Sequence, residues 1–278
     1  HRRQFNIPII GITGSNGKTT TKELMANVLN SHYRTHFTQG NFNNHIGVPL
    51  TLLAMPKETE VAIIEMGMNH LGEIAALCEI ADPTHGLITN IGKAHLEGVG
   101  GIEGVKKAKS ELYDYLYLRN RKKLPYSSHP EKAAHSIYQA IPERFEPTVK
   151  VRFRDDLGNV VPVQTQLMGE YNFHNIMTAI TIGQYFKVPP LKIKAAIEQY
   201  VPSNNRSQWV EMDSNRFLLD AYNANPSSML NVLRYFKQYE ADRKVVILGD
   251  MLELGKESAS EHQYIVQQAE QLGYEQII

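Results

Sequence analysis

Residues 7–25 read IPIIGITGSNGKTTTKELM, an apolar run that passes through a glycine-bearing turn into an amphipathic stretch. The run from 7 to 13 is too short for a helix and rich in Ile, which predicts a buried strand. Leu24, Met25, Val28 and Leu29 recur at helical spacing and predict a helix with one apolar face. Between them, Gly14, Ser15, Asn16, Gly17, Lys18, Thr19 and Thr20 place backbone N–H groups at a helix N-terminus. The glycines permit close approach of an anion and the lysine offsets its charge. The usual phosphate-loop spacing has glycine where this chain has Ile12, so the loop is a variant. It predicts a nucleotide triphosphate, with Lys18 against the β- and γ-phosphates and the Thr19 hydroxyl on Mg2+.

The rest of the chain extends this texture. The runs 60–66, 85–91, 243–249 and 275–278 also predict buried strands. Leu71, Ile74, Ala75 and Cys78, and again Met229, Val232, Leu233 and Phe236, follow the spacing of a helix with one buried face. Alternating strands and helices imply a parallel sheet covered on both faces. From about 118 to 167 the pattern changes: a polar, Pro-bearing stretch precedes residues that alternate like antiparallel strands around Asp156-Leu157-Gly158-Asn159. The basic run Arg119 to Lys123 reads as solvated surface. Helical texture returns at 169–186, and Pro189 and Pro190 separate it from a further helix. A second α/β unit begins near Asn205, with a strand, a turn, a helix, the strand at 243–249 and another helix from about Ser260. It ends with too little chain to complete a sheet. The expected fold is therefore α/β: a phosphate-loop domain over 1–204 with a mostly parallel sheet and a small antiparallel part, then an incomplete Rossmann-like unit over 205–278.

Lysine plus arginine (29) balances aspartate plus glutamate (29), so no chain-wide basic field invites nucleic acid. The one cysteine, Cys78, excludes an internal disulfide framework and a Cys-rich zinc site, and its place on an apolar stripe reads as core packing. No apolar run approaches the roughly 20 residues that span a bilayer. Cytoplasmic placement, no membrane insertion and a monomer are the expectations. The abrupt start at a core strand reads as a fragment.

A triphosphate-bound metal needs acidic help from neighbouring strand ends. Glu65 closes one apolar run and His95 follows the next, where α/β sheets gather ligands. Each alone reads as readily as a helix cap or a structural histidine. Together with Thr19 they form a candidate metal set.

Five segments in this order, TGSNGKTTTKE, TQGNFNNHIGVPLTLL, IIEMGMNHLGEI, LITNIGKAHLEG and GVKKAKSELYDYL, resemble the Mur ligases, ATP-dependent amino-acid-adding enzymes of peptidoglycan synthesis. The later GEYNFHNIMTA, DAYNANPSSM and ILGDMLELG make the resemblance closest to the member that adds D-Ala-D-Ala to UDP-N-acetylmuramoyl-tripeptide. The resemblance implies ATP and Mg2+ as cofactors, an acyl phosphate intermediate and those two substrates as partners. It matches Gly14 to Thr20 to the phosphate loop, Glu65 and His95 to the magnesium ligands, and Lys109 to a lysine that becomes carbamylated. By itself Lys109 reads as a surface helix lysine. Asn172 and Asn175 match asparagines near the adenine, Arg206 an arginine on the phosphates, and Asp220 an aspartate reaching the nucleotide from the last domain. Asn41, Asn43, Asn44 and His45 match a loop facing the muropeptide, although an asparagine-rich turn is an equal reading of any one of them. Relative to the family, the chain lacks an N-terminal UDP-sugar domain and the end of the last domain, and the region 117–150 is short. The fragment is therefore expected to be inactive alone. Alternatives are the ligase of the third peptide residue, a folylpolyglutamate synthase, or a non-enzymatic nucleotide switch. Asp220, Arg206 and the Asn-rich loop argue against the switch.

Overall fold

The computed structural model describes residues 1–123, 140–144, 148–202 and 205–278. After a short 3-10 turn the chain runs β1 (Ile9–Thr13), α1 (Lys18–Asn30), β2 (Thr35–Phe37), α2 (Gly47–Leu53), β3 (Val61–Glu65), α3 (Glu73–Ala81), β4 (His85–Ile88), α4 (Leu96–Val99), α5 (Ile102–Leu118) and β5 (Lys122–Lys123). The five strands pair in parallel in the order β2-β3-β1-β4-β5. Successive residues of a strand face opposite sides. Ile10, Ile12 and Ile63 accordingly join one core, with the fully buried Leu24, Met25, Val28 and Leu29 of α1. Ile9, Ala62 and Ile64 join another, with Ile74 of α3 and Leu112 of α5. Burial on both faces explains why these strands read as continuous apolar runs rather than alternating ones.

Two expectations need correction. Helix α3 starts at Glu73, so Leu71 lies exposed in the preceding turn and Ala75 is half-buried; the inward stripe is Ile74, Leu77, Cys78 and Ala81. The run 85–91 is a strand only to Ile88; Thr89 N–H still donates to Thr13 O (2.9 Å) and Asn90 O accepts from Ser15 N–H (3.0 Å), while the Thr89 hydroxyl and Asn90 Oδ1 turn to Asn16 of the phosphate loop. In the basic run Arg119 is exposed, as expected, and pairs with Glu79; Arg121 pairs with Asp82, and Lys122–Lys123 form the edge strand β5. Cys78 is buried as expected, and burial pushes its thiol up to about 12, which removes it from thiolate chemistry at neutral pH.

Of the polar stretch after 118, residues 124–139 lie outside the described residues, as do 145–147, so the short 117–150 region is described only in part. Strands β6 (Ala140–Arg144), β7 (Lys150–Arg154) and β8 (Val160–Gln164) make an antiparallel sheet in that order. Val151 and Phe153 of β7 and Val161 and Val163 of β8 point inward, the alternation the sequence shows. Asp155 Oδ1 closes the turn by accepting from the N–H of Leu157 (2.9 Å) and Asn159 (2.8 Å). Pro162 is tolerated because β8 is an edge strand. Helix α6 (Tyr171–Tyr185) buries Ile176, Ala179 and Ile180 in the α1 core, and α7 (Pro190–Glu198) opens with Pro190 at its first position.

Beyond Asn205 come an antiparallel hairpin, β9 (Gln208–Met212) and β10 (Asn215–Leu219), then α8 (Pro226–Gln238), β11 (Val245–Val246), α9 (Ser258–Gln271) and β12 (Gln276–Ile277). β11 and β12 pair in parallel. Both are shorter than the apolar runs 243–249 and 275–278, since each finds only the other as a partner among the described residues. The fold is thus α/β, with a parallel sheet, a small antiparallel sheet and a second, incomplete α/β unit.

Candidate active site

The turn between β1 and α1 is held in a shape that only glycine allows at two points. Gly14 has φ +149° and a Cβ there would lie 1.8 Å from Thr89 Oγ1; Gly17 has φ +76° and a Cβ would lie 2.5 Å from Asn175 Oδ1. The loop after β4 braces the turn. Asn90 Oδ1 accepts from the Asn16 N–H (2.9 Å), Asn90 Nδ2 donates to Asn16 O (3.0 Å), and Ser15 Oγ donates to Gly92 O (3.0 Å). The first-turn N–H groups of α1 therefore stand at the carboxyl end of a central parallel strand, an anion-binding geometry. Lys18 Nζ folds back onto the carbonyls of Gly14 (2.8 Å) and Ser15 (3.3 Å). Burial, only partly opposed by Glu65, holds its pKa below the usual lysine range.

Glu65, at the end of β3, is 1% exposed. Its Oε1 accepts from Asn43 Nδ2 (2.9 Å) and from Thr19 Oγ1 at 3.4 Å, while its N–H donates to Thr38 Oγ1 (3.0 Å). Lys22 Nζ lies 3.4 Å from Glu65 Oε2 but out of hydrogen-bond alignment, so Oε2 is a buried acceptor without a donor. Such an atom is expensive in a protein interior unless something else meets it. The Thr19 hydroxyl and the Glu65 carboxylate thus fit a hard divalent cation, which takes oxygen ligands. His95 is not drawn into the same cluster. It caps α4 with φ +57° and turns Nδ1 toward the Glu253 carboxylate in an ion-pair contact. Burial lowers its pKa, Glu253 opposes this, and Lys18 and Lys109 add to the lowering. Among the described residues no three His, Cys, Asp or Glu side chains converge as a ready cation cage.

Lys109, on the inward face of α5, is not the surface lysine that helical position alone implies. It is 1% exposed, and burial with repulsion from Lys18 lowers its pKa to about 7. A lysine in this state is substantially neutral at physiological pH, so it is nucleophilic.

Asn172 and Asn175 on α6 are buried and committed to internal bonds: Asn175 Oδ1 accepts from Thr21 Oγ1 (3.0 Å), and Asn175 Nδ2 donates to Asn172 Oδ1 (2.8 Å). Asn44 Oδ1 accepts from the N–H of Ile46 (3.0 Å) and Gly47 (2.9 Å), opening α2. Asn43 and Asn44 therefore carry structure, whereas Asn41 and His45 are exposed. Arg206 stacks on the Tyr222 ring at 3.8 Å and keeps a buried Nε without a partner. Asp220 Oδ1 accepts from Ser207 N (2.9 Å) and Oγ (3.3 Å); burial raises its pKa and these bonds oppose the rise.

One cavity of about 1010 Å3 collects these groups. Ser15 to Thr20, the 41–45 asparagines and histidine, Glu65, His95, Asn172, Asn175, Arg206 and Asp220 all line it; Gly14 and Lys109 stand behind the lining. Sequence reasoning missed Lys22, Asn90, Tyr222, Asn225 and Glu253. Two had a usable signal: Lys22 sits one helical turn after Lys18, and Asn90 lies just beyond the apolar run that forms β4. Asn225 Nδ2 donates to Asn16 Oδ1 (2.7 Å), a contact between distant parts of the chain that no local pattern announces.

The chain matches the Mur ligase middle domain over residues 12–183 and the Mur ligase glutamate ligase domain over 205–277. It is 37% identical over 269 residues to the UDP-N-acetylmuramoyl-tripeptide–D-alanyl-D-alanine ligase of Bacillus subtilis, covering 91% of this chain and 58% of the relative. The ligase of the same name from Synechocystis is 34% identical, covering 98% and 61%. The crystal structure of MurF from Acinetobacter baumannii superposes with a TM-score of 0.88 at 30% identity, covering 99% of this chain and 64% of that one. The chain thus spans about three fifths of the length of these relatives. With a family model matching more than half of its residues, the chain belongs to the Mur ligase family.

Proposed function

We propose that the full-length protein is the ligase that joins D-Ala-D-Ala to UDP-N-acetylmuramoyl-tripeptide at the expense of ATP, acting as a cytoplasmic monomer. The observation that carries this is the shared cavity: phosphate loop, Glu65 and the Asn-rich loop from one part of the chain, Arg206 and Asp220 from another. The similarity to ligases of that name over more than nine tenths of the chain supports the substrates. In this reading 1–204 is the ATP-binding domain and 205–278 part of a closing domain. Among the described residues no helix is long and apolar enough to cross a membrane.

A carboxylate is a poor electrophile in water, so the γ-phosphoryl group is first transferred to the peptide carboxylate; the amine of D-Ala-D-Ala then attacks the acyl phosphate and phosphate leaves. The α1 N-terminus and Lys18 bind the triphosphate and take up charge on the moving phosphoryl group. Thr19 and Glu65 would hold Mg2+, joined by His95 once it is released from Glu253, and the ion would neutralise phosphate charge. Lys109 enters as a neutral amine that adds CO2 and loses a proton, giving an N-carboxylate near Lys18 and His95 where a cationic ammonium would repel a metal. Arg206 reaches the phosphates, Asp220 and the amides of Asn172 and Asn175 bound the nucleoside, and Asn41, Asn43, Asn44 and His45 face the muropeptide. No enzyme nucleophile is needed, which agrees with the inert, buried Cys78.

The test supplies full-length protein with ATP, Mg2+, UDP-muramoyl-tripeptide and D-Ala-D-Ala, with hydroxylamine as an acyl-phosphate trap. Pentapeptide product, and hydroxamate when the dipeptide is withheld, are expected. ATP turnover that ignores both substrates would overturn the reading.

A further inference from the structure

The largest wholly buried side chain beside the site belongs to no role assigned above. Lys22, one turn into α1, is 0% exposed. Its ammonium lies 3.4 Å from Glu65 Oε2 and donates to Gly40 O at 3.0 Å. A lysine is almost never wholly buried unless it is paired, because desolvating its charge is costly. Here both its partners are functional elements. Glu65 is the acidic end of the nucleotide side of the cavity. Gly40 is the entry to the 41–45 loop on the other side, and Asn43 of that loop also grips Glu65 Oε1 at 2.9 Å.

We propose that Lys22 is a positioning residue that ties the Glu65 carboxylate to the 41–45 loop, so that occupation of the phosphate loop sets the loop that meets the second substrate. The proposal rests on the ligase reading for the identity of that substrate, but not for the coupling itself. Two hydrogen bonds and one ion-pair contact close the circuit from α1, which begins at Lys18 and carries Lys22: Lys22 donates to the backbone at Gly40, Asn43 donates to Glu65 Oε1, and the Lys22 ammonium faces Glu65 Oε2 at 3.4 Å. A movement of Glu65 toward a cation beside Thr19 is therefore felt at the entry and at the middle of the loop. A hydrophobic residue at 22 could fill the same volume but would release Gly40 O and leave Glu65 as an uncompensated buried charge.

The experiment uses the full-length protein and two readouts. Amide hydrogen exchange across 40–47 is measured with and without Mg2+ and a non-hydrolysable ATP analogue. Steady-state KM values are measured separately for ATP and for UDP-muramoyl-tripeptide. In wild type, nucleotide should slow exchange in 40–47. In Lys22→Met the analogue should still bind but this protection should vanish, with a rise of about tenfold in the KM of the muramoyl substrate and an ATP KM within about twofold. Should Lys22→Met fail to fold, Lys22→Gln replaces it; being one bond shorter, it cannot span Glu65 and Gly40 together, and the same loss is expected. Protection retained in the folded variant, or both KM values rising in step, overturns the proposal as a merely structural role would. Wild type without pentapeptide product overturns the ligase reading, while the exchange measurement still decides the coupling.

Discussion

At the scale of single residues, two lysines do opposite things with the same chemistry. Lys18 is useful charged: it stands at the mouth of the phosphate loop, on the carbonyls of Gly14 and Ser15. Lys18→Ala should leave circular dichroism unchanged and lower turnover at least about a hundredfold, the cost of removing one transition-state charge contact. Turnover within tenfold of wild type, by the same assay, would refute that role. Lys109 is useful neutral. Its folded pKa of about 7 lies below the ordinary lysine value of 10.5, so between these the unfolded chain binds more protons than the native one. Stability then rises with pH across that window, and the full penalty of the buried ammonium is felt below about 7. Lys109→Met should therefore raise Tm more at about pH 6 than at about pH 9, while abolishing turnover. Partial rescue of turnover by short carboxylic acids is the second check, because it answers to the N-carboxylate rather than to the lysine. Of these two residues only Lys18 was legible in the sequence by itself. Lys109 required the resemblance, since helical spacing alone does not say that a lysine of α5 is buried rather than solvated.

At the scale of elements, legibility follows how local the determinant is. The strand-loop-helix of β1 and α1 is written in adjacent residues, as are the alternation of β7 and β8 and the Pro-started α7. The edge strand β2 and the strand β9 carried no run long enough to read, because their partners, β3 and β10, supply the pairing. Beyond Ile88 the backbone still bonds the β1 side, Thr89 N–H to Thr13 O and Ser15 N–H to Asn90 O, while the Thr89 hydroxyl and the Asn90 amide add bonds to Asn16, so the strand passes into the phosphate-loop brace without a break that the sequence could mark. The same logic makes Gly17 the fragile point of the first element. Its left-handed φ and the 2.5 Å approach of Asn175 to any Cβ make Gly17→Ala strained and clashing at once. A loss of about 1–3 kcal/mol in urea unfolding is expected, together with weakened nucleotide binding. Unfolding and nucleotide titrations matching wild type would mean that the loop relaxes freely. α8 offers a contrasting case: Asn225 caps it through Ser228 N at 2.9 Å in a reciprocal capping box, and also reaches Asn16. Asn225→Ala should cost about 1 kcal/mol as a cap. Any additional loss that disappears in an Asn16→Ala background measures the contact between the two parts of the chain.

At the scale of the whole molecule, the last 74 residues, 205–278, meet the phosphate-loop side through polar contacts and through an apolar cluster that holds Met251 and Leu254 together with Leu96 and Val99. Asn225 holds Asn16, Glu253 meets His95 and its carbonyl accepts from the Glu97 N–H at 3.3 Å, and Glu261 pairs with Lys93. The contacts of Glu253 and Glu261 fall on 93–97, the loop that carries His95, so the last unit bears directly on the set of this histidine. A hinge about Asn205 to Trp209 is a prediction: Asn205 and Ser207 both hold left-handed backbone, uncommon without glycine, and movement there would have to break or carry along the bonds of Ser207 to Asp220 and Tyr171. Each ion-pair contact has one exposed or half-exposed partner, Lys93 in one and Glu253 in the other, so salt screens it in part, which would suit a joint that opens and closes. Closure would bring the incoming amine to the acyl phosphate and keep water from it. Small-angle scattering on the full-length protein, with a non-hydrolysable ATP analogue plus UDP-muramoyl peptide, should show a compaction that Glu253→Ala combined with Glu261→Ala diminishes and that high salt also weakens. Both variants lie outside the phosphate loop, so ATP affinity should change little while turnover falls. Identical scattering profiles in every liganded state, with turnover of the double variant equal to wild type, would show that the last unit is a passive wall of the cavity and not its gate.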